Sequence, residues 1–219
     1  MFRLSKNRGG SLVLEILMIV IGINVALWFE DWFQDLENIE TEAQYLADLR
    51  VDLLADIANL EQAIDAGARK AEHVGAIIDD WDALLDGTEE DQAQAIYMPS
   101  SYLFFSPSGF TYHSMQESGD FRLLRDTKVK RGLLALDRRY RLIETLQSNF
   151  LQALDDGYIP LMMTRFDLAT MQVTDPTLLD DQLFRNFFVY TRNDTRTMVA
   201  VYKQALTQAT ELLAILPAS

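Results

Sequence analysis

A chain of 219 residues with 33 acidic against 19 basic side chains, net −14, is poorly suited to nucleic acid or anionic lipid headgroups. The absence of cysteine excludes a disulfide scaffold, a thiol nucleophile and a cysteine-ligated zinc site. The length suits one membrane anchor and one extramembrane domain with a core of its own.

The first ten residues carry Arg3, Lys6 and Arg8 and read as a short cytoplasmic lead. Residues 11–33 then read as a transmembrane helix, with Leu12 to Phe33 running LVLEILMIVIGINVALWFEDWF. A bilayer core of about 30 Å takes about 20 helical residues. That length is reached only if Glu15 sits about one turn inside the inner edge, where its carboxyl reaches the interface. Trp28, Trp32 and Phe33 suit the opposite interface. A cleaved signal peptide would end in small residues, whereas this stretch ends in Trp28 and Phe29. Basic residues precede the span and none follows before Arg50. The N-terminus is therefore expected in the cytoplasm of a bacterial inner membrane, with a periplasmic C-terminal domain.

Within the span, Glu15, Ile19, Gly22 and Ala26 fall on one stripe of a helix, and Asn24 points away from it. Gly22-x-x-x-Ala26 is a small-xxx-small pattern that lets two backbones approach in lipid. Two readings stay open. Either these residues simply face lipid, or Glu15, Gly22, Ala26 and Asn24 make helix contacts on two faces, which suits a ring better than a two-fold dimer.

The apolar pattern continues past the membrane as a long helix over residues 34–86. Leu36, Ala43, Ile57, Ile64, Ala71, Ile78 and Leu85 fall at a, and Ile39, Leu46, Leu53, Leu60, Val74 and Trp81 at d. Carried backward, the register passes through the span, so both segments read as one rod with one seam. Leu49, Leu54 and Ile77 widen that seam towards a bundle-facing stripe. Gly67 is the expected kink, and Asp86-Gly87 the expected stop.

Residues 87–108 read as an aromatic loop. Tyr97, Tyr102, Phe104, Phe105 and the adjoining Phe110 either cap the bundle or form a patch for a partner. Ser108 is the expected cap of a helix over residues 109–118. Helices over 126–166, interrupted at Pro160, and over 179–216 complete the chain. No alternating run is long enough for a sheet. The fold class expected is all-α: a transmembrane helix continuing into the long helix of an extended antiparallel bundle. In it one long helix would return towards the membrane and the last would go out again.

Chemistry is thinly represented. His73 and His113 lack the spacing of a bundle metal site. His113, Ser114, Glu117 and Asp120 cluster as a polar helix end without a nucleophile elbow. No catalytic, metal or cofactor site is predicted.

The run Glu15-Ile16-Leu17-Met18-Ile19-Val20-Ile21-Gly22-Ile23-Asn24-Val25-Ala26-Leu27, with Trp32 following, resembles the signature span of an uncharacterised bacterial family of single-pass membrane proteins. Thr111-Tyr112 with Ser118-Gly119-Asp120-Phe121-Arg122-Leu123-Leu124 resembles that family's internal Ser-Gly-apolar segment. The resemblance implies a single membrane pass and a helical extramembrane domain, and it lends no activity. The function expected is non-enzymatic: self-association, or service as a subunit of an envelope complex. The alternative is a helical ectodomain that senses a small molecule, of unknown identity, and signals through a partner's span. A lipid bilayer and a homo-oligomeric or membrane-complex partner are the partners expected.

Overall fold

The computed structural model describes residues 8–102 and 104–217. Arg3 and Lys6 of the basic lead lie outside the described residues. The fold is all-α, with helices α1 (Arg8–Asp79), α2 (Trp81–Leu85), α3 (Glu89–Tyr97), α4 (Phe110–Ser118), α5 (Thr127–Ala153), α6 (Ile159–Arg165) and α7 (Gln182–Ile215). Among the described residues the one strand pair, Phe166–Asp167 with Gln172–Val173, is a two-residue ribbon.

Helix α1 runs unbroken for 72 residues. Gly67 does not interrupt it: a Cβ built there would stand 2.6 Å from Val199 Cγ2. The missing side chain admits α7 rather than bending α1. The helix stops instead at Asp79, where Asp80 leaves helical geometry and its carboxylate accepts from Ala83 N–H to start α2. Leu53, Leu60, Ile64, Ala71, Val74 and Trp81 of the seam are buried, as are Leu49, Ala63 and Leu84 beside it. Leu54 faces solvent and does not widen the stripe.

The chain does not go straight back after α3. Its connector descends along α1, held at successive heights by α1 side chains. Lys70 Nζ donates to the carbonyls of Pro99, at 3.0 Å, and Ser101. Asp56 accepts from Ser108 N–H at 2.6 Å and Asp52 from Thr111 N–H at 3.0 Å. Tyr45 donates to Asp120 at 2.9 Å, and Glu42 accepts from Arg125 N–H at 2.5 Å. Helix α5 therefore starts low and climbs parallel to α1, bringing Tyr140 to Asp56 at 2.9 Å and Phe150 beneath Lys70. The expectation that this helix returns towards the apolar stretch is thus reversed. It is α7 that returns, antiparallel to both, from Phe188 beside Trp81, through Val199 at Gly67, to Leu212 and Leu216 in the cluster with Leu49 and Leu53.

Several local expectations change with their causes. Residues 87–108 are not one loop: Thr88 and Asp91 form a capping box, satisfying orphan donors at the start of α3. Ser108 does not cap α4. Gly109, at φ 47°, holds that position, a left-handed conformation that favours glycine. The helix expected over 126–166 divides at a π turn, Leu154–Tyr158, just ahead of Pro160, whose missing N–H cannot continue the ladder. Asp181 caps α7 through Leu183 and Phe184 N–H, so that helix starts later than residue 179.

The core has two parts. Trp81, Ile96, Tyr158, Phe184, Phe187 and Phe188 dominate the far end. Tyr112, Met115, Leu133, Leu136 and Leu212 join Leu49 and Leu53 at the near end.

Candidate functional site

Two regions of the structure carry the residues that the sequence marks out: the lower part of α1, and the aromatic connector with the spaces on either side of it.

From Leu14 to Ile39 the large apolar side chains of α1 are 44–68% exposed. This segment is long and apolar enough to cross a membrane. Glu15, Gly22, Asn24 and Ala26 all lie on it exposed. Around Gly22 no described atom beyond the adjoining helix backbone and its chain neighbours comes within 4 Å of an added Cβ, so its surface is open to a second backbone. Asn24 spends a donor on its own helix, Nδ2 to Val20 O at 2.7 Å, which lowers the cost of an amide in lipid. Trp28, Trp32 and Phe33 are exposed and meet neighbouring rings edge-on or tilted.

The five connector aromatics do not form one patch. Phe105 is 2% exposed and packs between Tyr140 and Tyr202, which removes it from any partner surface. Phe104 is half-buried, with Tyr102 stacked on it at 4.4 Å. Tyr97 and Tyr102 are exposed along a shallow groove with Leu151, Leu154 and Ile159. Phe110 is 78% exposed at the start of α4 and stands apart from that groove.

Phe104 separates two cavities. The larger, about 670 Å³, lies between α1, the connector, α4 and α5. Its charged wall is mainly acidic, with Asp52, Asp56, Asp137 and Glu144 against Arg141 and His113. Arg141 is already paired with Asp137. Burial pushes the Asp56 carboxyl up, although Ser108 N–H and the Tyr140 hydroxyl both donate to it. Gln147 ties the back wall together, donating to Phe105 O at 2.9 Å and Tyr202 Oη at 2.8 Å.

The smaller cavity, about 370 Å³, lies between α1, the connector and α7. Arg69, Lys70 and His73 line it, together with Phe104, Phe150 and Met198. The Lys70 ammonium sits 4.7 Å from the centre of the Phe150 ring. Its burial brings it down to about 8, against the opposing pull of Asp194. On α7, Thr191 Oγ1, Asp194 Oδ2 and Thr195 Oγ1 are buried without a hydrogen-bond partner among the described residues. Neither cavity is legible in the sequence, where Asp52, Asp56 and Lys70 look like members of a solvated helix face.

A family model described as a family of unknown function, DUF6090, matches residues 15–154, more than half of the chain. The chain belongs to that family. The DUF6090 match begins at Glu15 in the apolar stretch of α1 and ends at Leu154, where α5 gives way to the π turn. It takes in the whole connector and the acidic cavity, and leaves α7 beyond it. No curated protein and no solved structure matches the chain.

Proposed function

We propose that this DUF6090 protein is a non-enzymatic, single-pass membrane protein. It acts by self-association or as a subunit of a bacterial envelope complex. The N-terminus lies in the cytoplasm and the helical domain in the periplasm. The observation that supports this reading is the continuity of α1. From Leu14 one helix runs as an exposed apolar rod and, without a break, becomes the central strut of the domain. An apolar stretch left uncovered by its own chain belongs against lipid or another helix. The open surface at Gly22 fits a close helix partner.

The cysteine-free chain makes the test direct. Ala214→Cys should react with a membrane-impermeant maleimide in spheroplasts, and Ser11→Cys only after lysis. Crosslinking in native membranes should give a species heavier than the 25.0 kDa protomer, weakened by Gly22→Leu. Reversed labelling, or a protomer that stays alone in the membrane, would end the proposal.

A second reading, a ligand-sensing ectodomain whose output passes through a partner's span, is favoured by the two cavities meeting at Phe104.

A further inference from the structure

The smaller cavity has a chemical character opposite to that of the protein around it. The chain carries 33 acidic side chains against 19 basic. Yet among the described residues the strongly charged side chains lining this cavity are the cations Arg69 and Lys70 and no carboxylate lines it, the nearest opposing charge on Lys70 being Asp194 behind the wall. Lys70 has three N–H donors. Two reach the carbonyls of Pro99 and Ser101, which fixes the ammonium and leaves one donor unspent. Among the described residues Arg69 makes no ion pair. Across the space, Thr195 lines the cavity with its Cγ2 methyl towards Gly67, while its hydroxyl is buried with no partner among the described residues. Such a hydroxyl costs stability unless something else bonds to it. Apart from His73 and Ser101, the rest of the lining is apolar and aromatic. At about 370 Å³ the space falls in the size range of small-molecule sites.

We infer that this cavity binds a small organic carboxylate with a compact apolar body. The carboxylate lies between Lys70 and Arg69 and draws the Thr195 hydroxyl round to it by a turn about χ1, and the apolar part lies against Phe104, Phe150 and Met198. Inorganic phosphate would leave that apolar floor unused, and an amine would face two cations. This assignment rests on the ligand-sensing reading and is independent of the membrane anchor.

The test uses the full chain in lipid nanodiscs, titrated calorimetrically with phenylacetate, its neutral amide phenylacetamide, and phenethylamine. Phenylacetate should bind once per chain and about tenfold or more tighter than the amide, the range of a charge-assisted hydrogen bond. Thr195→Val should weaken phenylacetate binding while raising the melting temperature, because it deletes a buried hydroxyl that lacks a partner. A merely structural threonine would not separate those two effects. Lys70→Met should abolish binding. Should that variant fail to fold, Arg69→Gln, at an exposed position, should weaken binding on an intact fold. Equal affinity for acid and amide, or unchanged affinity in Thr195→Val and Arg69→Gln, would overturn the assignment. Preference for phenethylamine would also overturn it, placing the ligand in the acidic cavity across Phe104 and sparing the ligand-sensing reading. No binding of any of the three would overturn the assignment and remove the support that this cavity lends that reading.

Discussion

Phe188→Ala should lower the unfolding free energy by about 3–5 kcal/mol, the usual cost of emptying a buried aromatic site. Phe188 is 0% exposed, and its ring meets those of Trp81 and Phe184 at 5.2 Å each. Tyr158 stacks on Phe184 from the π turn and donates to the Ile96 carbonyl. Phe188 therefore sits in a ring cluster that joins α2, α3, the π turn and α7, and little around it is free to collapse into the gap. Measured against a typical total of about 5–15 kcal/mol, the loss is a large share. Urea titration of the wild type and the variant checks it. Leu134→Ala, at an exposed position on α5, serves as the control and should change stability by less than about 1 kcal/mol.

Gly67→Leu should destabilise by about 3 kcal/mol, the upper end for overpacking. Helix propensity alone predicts the opposite sign, because glycine in a helix interior is about 1 kcal/mol worse than alanine. Propensity loses here because the new Cβ would start 2.6 Å from Val199 Cγ2, pressing α1 away from α7. Adding Val199→Ala should recover part of the loss, and that coupling distinguishes a clash with α7 from a local backbone effect. Gly22→Ala provides the contrast. Nothing lies within 4 Å of that position, so the domain should be no less stable.

Gly67 also shows where reading the chain alone stops. The heptad register of α1 is legible because burial on one face of a long helix leaves a period. The reason for a glycine in that register lies at Val199, on a helix that no local pattern connects to it. The same holds for the direction of α5. Loop length and periodicity suggest a helix that turns back, and nothing in Glu42, Asp52 or Asp56 shows that their carboxylates receive backbone N–H groups from a descending connector. Spaced acids on a helix look alike whether they meet water or a strap. The start of α3 was more accessible: Thr88-Glu89-Glu90-Asp91 is a capping box with Asp in the place of the usual Glu or Gln. The aromatic content of the connector was also plain, but its division was not. Phe104 and Phe105 are adjacent in sequence and differ in burial because only Phe105 points between Tyr140 and Tyr202. For the candidate ligand site, the sequence shows neither the cavity nor the orphaned hydroxyl of Thr195, since both arise only when α7 lies along α1.

Electron–electron distance measurement on the full chain in nanodiscs tests the continuity of α1 most directly, with spin labels at Glu30→Cys and Glu61→Cys, both exposed. At about 1.5 Å per residue an unbroken helix holds the two positions about 46 Å apart, and a single narrow distribution near that value is the predicted result. A broad distribution, or one centred below about 30 Å, would mean a bend or break between the apolar segment and the domain core, contradicting the single rod.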